Sequence, residues 1–133
     1  MRAHFEGKMS TFGGPNDTGV GPDEGLALVQ PGDLGLFPGI FLPKNPAGTN
    51  GLARRLDPDA YYLACRWDYG ITSVKYLQGV EATVTNPATG ATATARPVDW
   101  GPDADTGRAA DLSPGLAKHL GLVTGDNCTV DIP

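Results

Sequence analysis

The stretch from Val80 to Arg96, VEATVTNPATGATATAR, decides the fold class. From Val80 to Thr85 the side chains alternate strictly: Val80, Ala82 and Val84 against Glu81, Thr83 and Thr85. That period of two belongs to a half-buried strand. Asn86-Pro-Ala-Thr-Gly90 is a turn by composition, and Ala91 to Arg96 alternates again with small residues on one face. Two alternating runs around a short Gly-containing turn predict a β-hairpin.

Working outward, Tyr61 to Trp67, YYLACRW, has the composition of a strand. Further upstream, His4 to Phe12 is expected as a strand and Leu26-Ala-Leu-Val29 as a short buried one. Gly13 to Gly25 is a loop. Gly35 to Pro43 is apolar but interrupted by Pro38 and Gly39, which suits a loop lying over the core. Downstream, Pro97 to Asp111 is read largely as loop. Ser113 is then expected as a helix N-cap with Pro114 at the first helical position. Leu116 and Leu120 lie one turn apart, and Gly121 stops the helix. Asn127 to Ile132 closes the chain as a strand. The expectation is a nearly all-β chain with one short helix near its C-terminus.

The 133 residues make one domain, 1–133. Apolar residues form 40% of the chain, enough for a compact core, while 19 glycines and 12 prolines leave little room for long helices. The net charge of −5 argues against a nucleic-acid partner, because phosphate contacts need clustered Lys and Arg. The tight basic pair Arg54-Arg55 is read as a solvated turn. No apolar run approaches the roughly 18 residues of a membrane span. Met1 to Met9 carries His4, Glu6 and Lys8 and has no apolar segment of the export-signal kind. Cys65 and Cys128 match no zinc spacing. A buried thiol is the default reading of each, with one disulfide between them as the alternative. The glycine-rich loop at 13–25 lacks the Gly-Lys-Ser/Thr end of a phosphate loop. No cofactor and no metal are expected.

Four pieces in order carry a family resemblance. LDPDAYYLACR at 56–66, VEATVTNPATG at 80–90, VDWGP at 98–102 and GRAADLS at 107–113 resemble the core of rare lipoprotein A domains. There an F-D-P-x-A-L-T-A-A-H-R segment precedes a V-x-V-T-N-x-x-T-G hairpin, an N-D-R-G-P loop and a G-R-x-x-D-L-S helix start. Ser10-Thr-Phe-Gly-Gly14 is similar, more weakly, to the A-S-W-Y-G opening of that family. The resemblance covers roughly residues 56 to 132. It implies a six-stranded double-psi β-barrel, as in expansins and barwin-like endoglucanases, with a polysaccharide as partner and the cell envelope or the outside of the cell as location.

The resemblance also implies the site. Asp111 falls on the Asp of D-L-S and Asp99 on the Asp of the preceding loop, the two acids that face the glycan groove. The chemistry agrees: a carboxyl beside apolar groups and a second carboxylate can hold its proton near neutral pH. From position alone, Asp111 reads as a helix-start carboxylate, and the functional reading comes with the resemblance. Trp100, Trp67 and Tyr69 are candidates for stacking on sugar rings, with packing in the core or at the barrel rim as the alternative for Trp67 and Trp100. Asp17, Thr18 and Asp105 are candidates for the groove walls, and Asp103 and Asp105 also read as solvated turn residues. The chain departs from the family at Trp100, where an Arg is expected, and at Cys65, where a His is expected. His4 and His119 read as structural or solvated.

The function expected is that of a lytic transglycosylase acting on peptidoglycan strands, with Asp111 as acid and Asp99 as electrostatic partner. The alternatives are a non-catalytic, expansin-like binding or wall-loosening module and a structural or protein-binding barrel.

Overall fold

The computed structural model describes residues 2–133. Six strands close into a barrel: β1 (Ala3–Thr11), β2 (Tyr62–Cys65), β3 (Ala82–Thr85), β4 (Thr92–Trp100), β5 (Arg108–Leu112) and β6 (Asn127–Ile132). Their spatial order is β1-β5-β2-β4-β3-β6. Two neighbouring pairs are parallel, β1 with β5 and β2 with β4; the other four are antiparallel. This mixed, closed arrangement is compatible with the expected double-psi topology.

The hairpin forms as its alternation predicts. Ala82 and Val84 are buried, and Thr83 and Thr85 pair with Thr94 and Thr92 on β4. The barrel interior is filled by Met9, Leu63, Cys65, Val84, Val98, Ala110, Leu112, Val130 and Ile132, each at most 0% exposed. Helix α3 (Pro114–Leu120) starts as expected. The Ser113 hydroxyl accepts from the Leu116 amide, and Gly121 ends the helix in the left-handed region at φ 69°. Leu116, Ala117 and Leu120 are its buried face. Two single-turn helices, α1 (Leu52–Arg55) and α2 (Val74–Leu77), add to it.

Three expectations need correction. First, Leu26–Val29 is not a strand: Leu26 and Val29 form only an isolated bridge across a tight turn. Its residues are apolar because Leu26, Leu28 and Val29, within the long excursion between β1 and β2, are buried in the hydrophobic core. Second, the segment read largely as loop at 97–111 contains the end of β4 and all of β5 but its last residue, Leu112. Third, Arg54 and Arg55 are not a solvated pair. Arg54 donates to the carbonyls of Val20 and Pro15, and Arg55 to those of Leu42 and Pro43, so both clamp the covering loops.

Two irregularities in the parallel pairs aim the strands. On β4, Pro97 pairs with Leu63 but Asp99 pairs with Ala64, so Val98 is an extra residue. Pro97 lacks an amide hydrogen, and a bulge is where an inner strand tolerates it. On β5, Arg108 pairs with Lys8 but Ala110 pairs with Met9, leaving Ala109 extra. A Cβ on the facing Gly7, which sits at φ 147°, would lie 3.0 Å from the Ala109 Cβ.

Candidate functional site

Each bulge turns an aspartate to the outside of the barrel. Asp111 pairs in register with Ser10 on one side and Ala64 on the other. Ala64 pairs with Asp99. Ser10, Asp111, Ala64 and Asp99 therefore form one row across β1, β5, β2 and β4. Residues paired in this way point to the same face. Adjacent strands are about 4.8 Å apart, so the backbones of the two aspartates are separated by roughly 10 Å. Ala64 lies between them.

The row forms the floor of an open groove of about 500 Å³. Ser10, Ala64, Asp99, Trp100, Arg108 and Asp111 all line it, and Asp17 and Glu24 from the N-terminal loop supply the opposite wall. A smaller depression of about 340 Å³ continues along that loop and shares Thr11, Phe12 and Asp17 with the groove. Asp17 organises the wall: its carboxylate accepts from the amides of Gly13 (2.7 Å) and Gly19 (2.8 Å). Gly13 is required there. It sits at φ 87°, and a Cβ would fall 2.6 Å from the Tyr62 hydroxyl.

The Asp111 carboxyl accepts a short hydrogen bond, 2.5 Å, from the Ser10 hydroxyl. Burial raises its pKa above the ordinary 3.8, and the nearby Asp17 charge adds to the rise. The Ser10 hydrogen bond and the Arg108 charge oppose it. Asp99 is held differently. One of its oxygens accepts from the amides of Ala27 (2.8 Å) and Trp100 (2.9 Å), which ties the 26–29 turn to β4. Burial raises its pKa too, against the pull of those two amides, and Glu24 and Asp111 push in the same direction as burial. Both carboxyls are thus poised to hold protons at higher pH than free aspartate.

The aromatic candidates separate. Trp100 lines the groove, is 45% exposed, and has its ring fixed by a 3.0 Å hydrogen bond from Nε1 to the Trp67 carbonyl. Trp67 is buried at 3% exposure and faces no ligand. It packs edge-on against Phe5, with ring centroids 5.3 Å apart, and its Nε1 donates to the Asp99 carbonyl at 2.8 Å. It positions Asp99 and Trp100. Tyr69 is exposed beside the groove rather than in its lining; burial and the Asp99 charge raise its pKa. Thr18 and Asp105 also lie outside the lining, whereas Asp103 is part of it.

Ser10, Ala64, Glu24 and Arg108 are among the lining residues that were not foreseen. Ser10 and Arg108 stood within quoted motifs, the S-T-F-G-G opening and the G-R start of β5. Reading β5 as loop hid the register that brings them together.

Cys65 and Cys128 are both buried free thiols. Burial pushes Cys65 well above the ordinary thiol range and Cys128 up to about 11, so neither is an activated nucleophile. His4 pairs with Asp131 at 2.5 Å, and His119 packs against Tyr61, with ring centroids 5.4 Å apart. Both lie away from the groove. Among the described residues, no group of three or more His, Cys, Asp or Glu is placed to hold a metal ion, and no helix is long and apolar enough to cross a membrane.

No model of a known protein family matches the chain, and no curated protein sequence matches it.

Proposed function

We propose that the chain is a rare lipoprotein A-like double-psi barrel that binds a cell-wall glycan in this groove and cleaves it as a lytic transglycosylase. The observation that carries the reading is the register row: Asp111 and Asp99 sit on one outward face with only Ala64 between them. Their position in the D-L-S and D-x-G-P pieces of the resemblance agrees with that placement.

Asp111 is the general acid. Protonated, it gives its proton to the oxygen of the glycosidic bond as the bond from the anomeric carbon breaks. The positive charge that develops on the sugar ring is stabilised by the Asp99 carboxylate across Ala64. The sugar's own primary hydroxyl then attacks the anomeric carbon, and its proton passes to Asp111, which is restored. No water is consumed, and the product carries an anhydro ring. Ser10 steadies Asp111 throughout, and Trp100 supports the apolar face of a sugar ring.

A second reading is favoured by the exposed Trp100 alone: a stacking platform serves binding even when no bond is cut. Incubation of purified sacculi, cellulose and chitin with the protein, followed by mass spectrometry, tests both. Anhydro-sugar ends on sacculus fragments support the transglycosylase. Reducing ends identify a hydrolase, whose inverting form uses carboxyls about 6.5–9.5 Å apart. Retention on a glycan without products identifies a binding module. Neither products nor retention removes the glycan reading.

A further inference from the structure

Apart from the groove, the surface carries a second depression of about 460 Å³. Pro38, Ile40, Asp59, Tyr61, Glu81 and Arg96 are among its lining residues, and it shares none with the groove. Arg96 stands on β4 three residues before Asp99, so the two sites lie roughly 10 Å apart along one strand.

Ala82 on β3 pairs with Ala95 on β4, and the next place in the same register sets Glu81 opposite Arg96. Opposite charges placed across two strands normally join. These two do not: among the described residues the ion pairs are those of His4 with Glu6 and Asp131. The guanidinium is held elsewhere. Its Nη2 donates to the carbonyls of Leu36 (3.0 Å) and Gln78 (2.6 Å), and its Cζ lies 4.6 Å from the centre of the Phe37 ring. Its Nε is buried without an acceptor and is closed to a ligand. Its Nη1 has no partner among the described residues and is not buried. A fixed donor and a free carboxylate therefore border one depression without meeting.

Other polar side chains of the lining are also uncommitted. The Asp59 carboxylate and the hydroxyls of Tyr61 and Thr94 make no hydrogen bond among the described residues. Tyr61 adds an aromatic ring, packed against His119 with centroids 5.4 Å apart, and Pro38, Ile40 and Ala95 add apolar surface. A sugar ring matches this set. Its adjacent hydroxyls each donate and accept, so a pair of them bridges a guanidinium and a carboxylate that are held apart. Its C–H face suits an aromatic ring. Two carboxylates against one guanidinium disfavour an anionic unit, which leaves an uncharged sugar.

We propose that this depression is a second, non-catalytic glycan site that takes an uncharged sugar unit and holds the polymer while the groove acts on it. The kind of ligand rests on the glycan reading above; the site is one that reading does not use. Two sites on one polymer make the second contact intramolecular, so a long chain is held more tightly than a fragment.

The test is a titration of the whole chain followed by the NMR shifts of its backbone amides, in the cold, where cleavage is slow. The probes are neutral chitooligosaccharide and peptide-free peptidoglycan strands. Two sets of shifts are expected, one around Asp99 and Asp111 and one at 59–61, 81 and 94–96. The double variant Asp59→Ala, Glu81→Ala removes two exposed side chains. It should weaken the second set by about ten-fold or more, the worth of a hydrogen bond to a charged group, and leave the first set unchanged. Its retention on purified sacculi should fall by a similar factor. Shifts confined to the groove overturn the inference and leave the glycan reading standing. So do shifts at the depression that survive in the double variant, or retention that does not change. Shifts at the depression alone support the second site and overturn the groove reading. Shifts at neither overturn both. The wild-type titration needs no variant, so it decides even where the double variant does not fold.

Discussion

Asp99 and Asp111 face each other across one residue, Ala64, which is the register partner of both. Neither reaches that position on a regular strand. The extra residues Val98 and Ala109 shift β4 and β5 by one place, and a shift of one place moves every later side chain to the opposite face. Without the bulges, each aspartate would alternate into the barrel interior, where an ionised carboxyl is very costly.

Ala64 keeps the space between the acids open. Ala64→Leu fills it and should lower glycan cleavage by about 100-fold, the scale of an ångström-level misplacement of substrate. The barrel should still form, at a cost within the ~1–3 kcal/mol typical of overpacking. Initial rates and thermal melts on the same sample check this. Unchanged cleavage would show that no substrate passes between the two aspartates.

The tryptophans should behave differently from each other. Trp100→Ala removes an exposed ring and should weaken glycan binding by roughly ten-fold, at the upper end of a stacking contact of ~0.5–1.5 kcal/mol, with little change in melting temperature. Trp67→Ala empties a buried site and should cost ~3–5 kcal/mol of stability. Calorimetric binding and melting separate them. A Trp100→Ala protein that binds as the wild type does would remove the stacking platform.

Stability should depend on pH through Asp99 and Asp111 with a definite sign. Burial raises their folded-state pKa values above 3.8. As pH rises from 3.8 to those values, the unfolded chain releases the protons first, so the folded state loses stability over that window and keeps the loss above it. Asp99→Asn removes this cost while its side-chain oxygen still accepts from Ala27 and Trp100. The variant should melt with the wild type near pH 3 and above it at pH 7. Melting curves across that range test the sign, and a variant less stable at pH 7 than at pH 3, relative to wild type, reverses it.

How far the sequence carries depends on where periodicity is clean. The hairpin at 80–96, the cap at Ser113 and the stop at Gly121 were legible, because each rests on a local rule that the barrel does not override. Asp111, Asp99 and Trp100 were legible through the motifs and Asp17 as a groove-wall candidate in the N-terminal loop, and the four share one groove. Strand β5 was not. Arg108-Ala-Ala-Asp-Leu112 has no β-branched residue and no alternation, and it is a strand because β1 and β2 hydrogen-bond it from both sides. The run at Leu26–Val29 failed in the opposite way, since burial of a turn in the core selects the same apolar residues as burial in a sheet. Trp67 was left between stacking on a sugar and packing in the core for a related reason: strand alternation past Cys65 does not say that an indole will turn inward to hold the Asp99 carbonyl.

The most direct measurement is cleavage of purified sacculi by Asp111→Asn, with melting temperature recorded on the same preparation. Asn keeps the shape of the side chain and an oxygen to accept the Ser10 hydroxyl, but it has no transferable acid proton. General-acid catalysis contributes typically 10²- to 10⁴-fold, so release of anhydro-sugar ends should fall by about that factor. The melting temperature at pH 7 should hold or rise, because a buried charge is removed. A fully folded Asp111→Asn protein that still releases those ends at the wild-type rate would contradict the assignment of Asp111 as the acid.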